Sequence, residues 1–191
     1  MAIEVTDLCF SREERPVISH ASLTVADGEV VCLYGPSGCG KSTFMRLVCG
    51  LLTPQSGHIR GVGRCSTVFQ ENALLPWCTV EENVALPLTE GARERVRAAL
   101  EVTELTEAAA LRPAALSGGM ARRAAIARAL AYDGDVLLLD EPFTGLDESL
   151  WGKLCVQIRR QYSDRPVLLI THRPEEAEAL SARRIAFGEW G

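Results

Sequence analysis

Short apolar runs alternate along the chain with polar turns and with stretches whose apolar residues recur every three or four positions. Strand-like runs occupy Ile3–Phe10, Ser22–Val25, Val30–Tyr34, Thr67–Phe69, Val136–Leu139, Val167–Thr171 and Arg184–Phe187. Helical periodicity follows at Lys41–Cys49, Gly91–Val102, Ser117–Ala131, Asp147–Gln161 and Pro174–Leu180. Ala26-Asp27-Gly28-Glu29 is a turn before the third run. Strands alternating with helices predict an α/β domain with a mostly parallel sheet covered on both faces. From Glu71 to Ala131 the strand signals cease, and no Gly/Ser linker bounds the stretch. It therefore reads as a helical insertion (about 71–131) into one domain whose core is 1–70 and 132–191. The alanines from Ala108 to Ala131 read as good helix formers under light packing.

Composition narrows the class. A chain of 191 residues is long enough for one well-buried domain, and 47% hydrophobic with 24% charged residues describes an ordinary folded protein. A net charge of -5 argues against a general nucleic-acid binder, which carries a basic face, although a local loop can still bind one polyanion. Seven cysteines (Cys9, Cys32, Cys39, Cys49, Cys65, Cys78, Cys155) form no CxxC pair, and their odd count without a secretory signal predicts reduced thiols in a cytosolic compartment. Cys32 and Cys49, among apolar neighbours, read as small core residues, whereas Cys39 lies in a glycine-rich loop open to thiol reagents. No run approaches the roughly 18 apolar residues of a membrane span, so any membrane role goes through a partner.

That loop is the strongest chemical signal. Gly35-Pro36-Ser37-Gly38-Cys39-Gly40-Lys41-Ser42-Thr43 follows the run Val30–Tyr34, precedes a helix and fits the GxxxxGK[ST] pattern. Its glycines let backbone N–H groups wrap phosphates, and the helix N-terminus adds positive potential. Lys41 would neutralise the β- and γ-phosphates of a nucleoside triphosphate, and Ser42 would ligate Mg²⁺. The acidic counterpart is Val136-Leu137-Leu138-Leu139-Asp140-Glu141, with both carboxylates at the strand end where open α/β sheets bind ligands. Successive strand residues point to opposite sides, so the two acids are expected to hold different jobs. Asp140 is assigned to Mg²⁺ through water, and Glu141 to activating the attacking water.

A second glycine-opened helix, Leu116-Ser117-Gly118-Gly119, stands apart from that cradle. Ser117 is a good N-cap, and the two glycines leave N–H groups open to an anion. Arg122, Arg123 and Arg128 farther along read as a basic, solvated helix face.

In their order (phosphate loop, Gln70, LSGG, Asp140-Glu141, Thr144-Gly145-Leu146-Asp147, His172) these elements resemble the ATPase subunits of ABC transporters over almost the whole chain. Taken singly, a Gln is most often solvated, a His after a strand is most often a loop residue, and Asp147 simply N-caps a helix. The resemblance implies a P-loop NTPase (RecA-like) core, an N-terminal antiparallel β subdomain and a helical subdomain carrying LSGG. It implies ATP and Mg²⁺ as ligands and a second copy of the chain as partner. Gln70 would touch Mg²⁺ or the attacking water, and His172 would hold the γ-phosphate. Ser117 and Gly119, with Gly118 between them, would contact the nucleotide of the other subunit, and Asp147 would run along the seam.

Two positions depart from the family pattern. Met120 replaces a common glutamine after LSGG, and the aromatic residue that stacks adenine is replaced by Arg12, leaving Arg12 or Phe10 for the base. The run Leu74-Leu75-Pro76-Trp77-Cys78-Thr79-Val80-Glu81-Glu82-Asn83-Val84 is similar to importer ATPases for nitrate, sulfonates and taurine. There it would form the groove for a transmembrane permease, with Leu75 and Trp77 as anchors, and a solute-binding protein would act indirectly. The subunit would then sit on the cytoplasmic face of the membrane, without an appended regulatory domain. An exporter or lipid-linked ATPase, or a soluble ABC protein, is the alternative.

Overall fold

The computed structural model describes residues 2–89 and 92–188. Within them two sheets form. The first is antiparallel, in the order β2-β1-β4: β1 (Ile3–Arg12), β2 (Arg15–Val25) and β4 (Ser56–Arg60). The second has five strands in the order β5-β6-β7-β3-β8: β3 (Val30–Tyr34), β5 (Cys65–Val68), β6 (Val136–Asp140), β7 (Val167–Ile170) and β8 (Arg183–Ala186). Each of its strand pairs is parallel. Among the described residues six α-helices follow or interrupt the strands: α1 (Lys41–Val48), α2 (Val80–Ala85), α3 (Ala92–Val102), α4 (Gly118–Tyr132), α5 (Glu148–Gln161) and α6 (Pro174–Ala179). The expected start of α3 at Gly91 lies outside the described residues.

The apolar strands are continuous because both faces of the parallel sheet are covered. Leu137 and Leu139 of β6 face Trp151, Leu154 and Ile158 of α5. Val136 and Leu138 face a second cluster built from Phe44, Met45, Leu47 and Val48 of α1 and from Ile3, Val5, Leu23 and Val25 of the antiparallel sheet.

Two bulges of opposite sense offset each other in the β1–β2 ladder, and a third irregularity follows between Phe10 and Ser11, where β2 steps from Ile18 to Pro16. Between Val5 and Leu8, β1 advances three residues while β2 moves two, from Leu23 to Ala21; between Leu8 and Phe10, β2 takes the extra residue. The inserted residues are Asp7 (φ 50) and His20 (φ 52), and their side chains meet at 2.7 Å. Each bulge resets the alternation, so Ile3, Val5, Leu8, Ile18, Ala21 and Leu23 all reach the core.

Two elements escaped the sequence pattern. β4 reads Ser-Gly-His-Ile-Arg, with no buried residue and pairing only to β1. α2 lies inside the proline- and tryptophan-bearing run. Its start carries a signal nonetheless: Thr79 accepts from the Glu82 amide and Glu82 accepts from the Thr79 amide, a capping box.

The alanines of α4 correct the expectation of light packing. Ala125 and Ala129 belong to the sheet-facing cluster, while Ala124, Ala127 and Ala131 belong to a third cluster with Val80, Val84, Val96 and Leu100. The helix is clamped between two cores, and small side chains permit the close approach on both sides.

Candidate functional site

Four connections leave the carboxyl ends of β3, β5, β6 and β7 and converge on an open cavity of about 630 Å³. Its wall includes Ser37, Gly38, Gly40, Lys41, Ser42 and Thr43 after β3, Gln70 after β5, Asp140 and Glu141 at the end of β6, and His172 after β7. This is the place where parallel α/β sheets bind ligands, because loops with free backbone groups gather there.

The loop after β3 has the glycines its backbone needs. Gly38 has φ 77 with open space around an added Cβ, so conformation alone demands glycine there. At Gly40 (φ 113) a Cβ would also meet Val17 and Phe187 at 3.0–3.2 Å. Lys41 is buried, and its ammonium donates to the Gly35 and Pro36 carbonyls at 2.8 Å each and approaches Cys39 Sγ at 3.6 Å. It is thus folded over the loop, where a polyphosphate entering the cradle offers it better acceptors.

Asp140 and Glu141 do not separate as strand alternation predicts. β6 ends at Asp140, and Glu141 adopts a left-handed backbone (φ 49) secured by its N–H donating to the Ile170 carbonyl at 2.9 Å. That turn brings both acids onto the same cavity. A non-glycine residue held in this region stores strain, which the fixed β7 neighbour maintains.

Burial pushes both carboxyl groups above their ordinary pKa. At Asp140 a hydrogen bond from Ser42 opposes the rise, with smaller help from Arg46 and Lys41. At Glu141 the opposing influence is His172, whose Nε2 stands 3.4 Å from Oε1 without completing a hydrogen bond. Glu141 Oε1 is therefore a buried acceptor lacking a donor, placed where a water could supply one.

The raised pKa fixes a sign. A carboxyl whose folded pKa exceeds its unfolded value contributes stability that is present at acid pH and lost as pH rises through the folded pKa. Glu141→Gln cannot ionise and escapes that loss. The ligand-free variant should melt above the natural protein at pH 7–8, with the gap closing as pH falls toward the ordinary carboxylate range. At this chain size each kcal/mol corresponds to roughly 2–4 °C. Scanning calorimetry across pH checks this, and a gap that widens on acidification would refute the assignment of the shift to burial.

The remaining anticipated residues fall into distinct places. Arg12 lines the cavity, whereas Phe10 packs against the cluster behind it with Val17, so of the two candidates for the base only Arg12 stands on the cavity wall. Ser117 is the N-cap of α4, its hydroxyl accepting from the Met120 amide at 3.2 Å, and Asp147 is the N-cap of α5, accepting from the Leu150 amide at 3.0 Å. Ser117, Gly118, Gly119 and Asp147 stand outside the cavity lining. They belong to one neighbourhood, since a Cβ on Gly119 would lie 3.2 Å from the Gly145 carbonyl. Ser117 and Gly118 are exposed, and nothing crowds a Cβ at Gly118. Met120 lays its side chain against the third cluster while its amide serves the cap.

The arginines of α4 are not a solvated face. Arg122 donates to the carbonyls of Phe69 (2.5 Å) and Gln70 (2.6 Å), Arg128 to those of Asn72 (2.9 Å) and Ala73 (2.8 Å), and Arg123 to those of Thr103 (3.1 Å) and Glu104 (2.9 Å). Each guanidinium bridges two carbonyls that the irregular loops leave without regular partners. Their density in one helix was the available signal, but only the packed loops reveal their acceptors.

The residue set suits a hard divalent cation: Ser42, Asp140 and Gln70, which carry a hydroxyl, a carboxylate and an amide oxygen, all line the cavity. Among the described residues no group of three or more His, Cys, Asp and Glu side chains is arranged so that it could hold a metal ion. That fits a cation held by few protein ligands together with phosphate oxygens.

Residues 18–144 match the family model described as ABC transporter. The aliphatic sulfonates import ATP-binding protein of Burkholderia ambifaria is 44% identical over 177 residues, covering 88% of this chain and 56% of that protein. The chain thus spans little more than half the length of that relative. The bicarbonate transport ATP-binding protein of Synechococcus elongatus is 41% identical over 187 residues, covering 88% of this chain and 67% of its own. A solved dimer of an ATP-binding cassette in a post-hydrolysis state, bound to ADP and Pi, superposes with a TM-score of 0.86 at 28% identity over 96% of this chain and 93% of that one.

Proposed function

The chain belongs to the ABC transporter family, and from that premise we propose that it is an ATP-hydrolysing subunit that powers solute uptake through a membrane permease. One observation carries the reading. Lys41, Ser42, Gln70, Asp140, Glu141 and His172 meet on one cavity, while the second glycine-opened helix start stands outside it, exposed.

The chemistry follows from those positions. Loop amides and Lys41 hold the β- and γ-phosphates of ATP. Ser42, Asp140 and Gln70 hold Mg²⁺, which neutralises charge on the phosphate oxygens. Glu141 Oε1 orients a water and takes its proton as the water oxygen bonds to the γ-phosphorus and the bond to the bridging oxygen breaks, releasing ADP. His172 steadies the γ-phosphate. Arg12 stacks its guanidinium plane on the base.

A second copy supplies Ser117 and the Gly118–Gly119 amides to the same γ-phosphate, so that ATP glues two chains face to face. Asp147 lies along that seam. Cleavage removes the glue, and the permease converts closing and opening into alternating access. Among the described residues no helix is long and apolar enough to cross a membrane. Attachment at the cytoplasmic face of the membrane goes through the permease, for which Trp77 (66% exposed) and Leu75 are the anchors. The solute, delivered by a separate binding protein, is a small molecule of the nitrate, sulfonate or taurine type, a choice supported by the sulfonate and bicarbonate relatives.

Purified protein, alone or with its permease, should release phosphate from ATP only with Mg²⁺ present, and EDTA should reduce the release to background. Release that EDTA leaves intact, or none in either preparation, would overturn the reading.

A further inference from the structure

Arg122 stands four residues into α4 yet reaches the end of β5. It is 6% exposed, and its two terminal nitrogens donate to consecutive carbonyls, those of Phe69 and Gln70. It also lines the cavity alongside Gln70, Asp140 and Glu141. Burial acts to lower its pKa, and the negative charges of Asp140, Glu141 and Glu71 act against that. The guanidinium keeps its proton in any case.

The segment Phe69–Ala73 has no regular structure of its own, so its shape comes from what grips it. From one side α4 holds it through Arg122 and, six residues farther, through Arg128 on Asn72 and Ala73. From the other side Arg46 of α1, the helix that begins at Lys41, pairs with Glu71 at 3.2 Å and lies over the Phe69 ring at 6.0 Å. The segment is therefore suspended between the helix of the phosphate loop and the helix that opens at Ser117.

We propose that Arg122 is a positioning residue for Gln70, fixing its backbone to the helix that begins at Ser117 so that engagement of that helix sets the Gln70 side chain in the cavity. The inference rests on reading the cavity as the ATP site. Arg122 places a separate nitrogen of one rigid plane on each carbonyl. A lysine there could still reach neighbouring carbonyls, as Lys41 does with Gly35 and Pro36, but from a single nitrogen on a flexible stem that does not fix their relative orientation. Arg122 thereby links the part of the surface that meets a second chain to the part of the cavity that meets water and metal.

The test pairs Arg122→Gln and Arg122→Lys with Gln70→Ala. Arg122→Gln should lower turnover about tenfold with nucleotide affinity held within about twofold. In the Gln70→Ala background the same substitution should cost less than about twofold, because its effect passes through Gln70. Arg122→Lys should stay nearer to Arg122→Gln than to the natural protein. A second readout needs no hydrolysis: amide hydrogen exchange across residues 69–73 should quicken in Arg122→Gln while β6 stays unchanged. Full rescue by lysine, an undiminished loss in the Gln70→Ala background, or unaltered exchange at 69–73 would each overturn the proposal. If the natural protein fails to hydrolyse ATP, the functional reading falls while hydrogen exchange still decides the role of Arg122. If Arg122→Gln does not fold, the same readouts on Arg122→Lys decide it.

Discussion

Glu141→Gln should reduce ATP turnover by roughly 10²–10⁴-fold, the range that a positioned general base supplies, and leave nucleotide binding nearly intact. The side chain keeps its length, so the left-handed turn at Glu141 and its bond to the Ile170 carbonyl have no reason to change. What disappears is the negative charge and proton affinity of the carboxylate, whose Oε1 has no hydrogen-bond donor of its own. Lys41, Ser42 and Asp140 are untouched, so the phosphates and the cation keep their partners. The loss should therefore fall on kcat while the affinity for ATP holds. Single-turnover kinetics with equilibrium nucleotide binding separates the two. Turnover above a tenth of the natural value would remove Glu141 from the role of base.

Ser117→Arg should abolish turnover to a similar degree by a different route. Ser117 caps α4, and replacing such a cap costs about 1 kcal/mol of stability. An arginine also adds positive charge at the positive end of a helix, which costs a few tenths more. Those local costs leave a folded chain. The larger effect comes from surface. Ser117 is exposed and Gly118 has open space around it, so a long side chain there occupies the volume that a second chain's nucleotide would enter. The cavity of the variant's own chain lacks Ser117 in its wall and should bind ATP normally. Mixing Ser117→Arg with Lys41→Ala gives a sharper form. A mixed pair holds one site with both Lys41 and Ser117 intact, so some turnover should return that neither variant shows alone. No recovery on mixing, with both variants folded, would count against a site shared between chains.

The parts of this site that could be read directly were those whose chemistry is contiguous in the chain. Gly35–Thr43 and Val136–Glu141 each carry their own structural context: an apolar run, then the reactive residues at its end. Ser117 and Asp147 were equally legible as caps, because capping is decided within three residues. The fate of Asp140 and Glu141 was less legible, since alternation holds only inside a strand and the strand ends between them. An arginine on a helix is usually exposed, so the sequence alone points to a solvated face for Arg122, Arg123 and Arg128. Their acceptors lie 19 to 56 residues away in sequence, at carbonyls of loops whose paths no local pattern specifies. The alanines of α4 failed as a signal for a related reason. Small residues suit both an undemanding helix and one pressed between two cores, and only the neighbours decide.

The central claim is that two chains share their nucleotides. Sedimentation of purified Glu141→Gln protein, with and without ATP and Mg²⁺, tests it most directly, because blocked hydrolysis should hold the closed state. The account predicts a monomer without nucleotide, a dimer with it, and a monomer again when Ser117→Arg is added to the same chain. A dimer that forms equally without ATP, or one that survives Ser117→Arg, would contradict it.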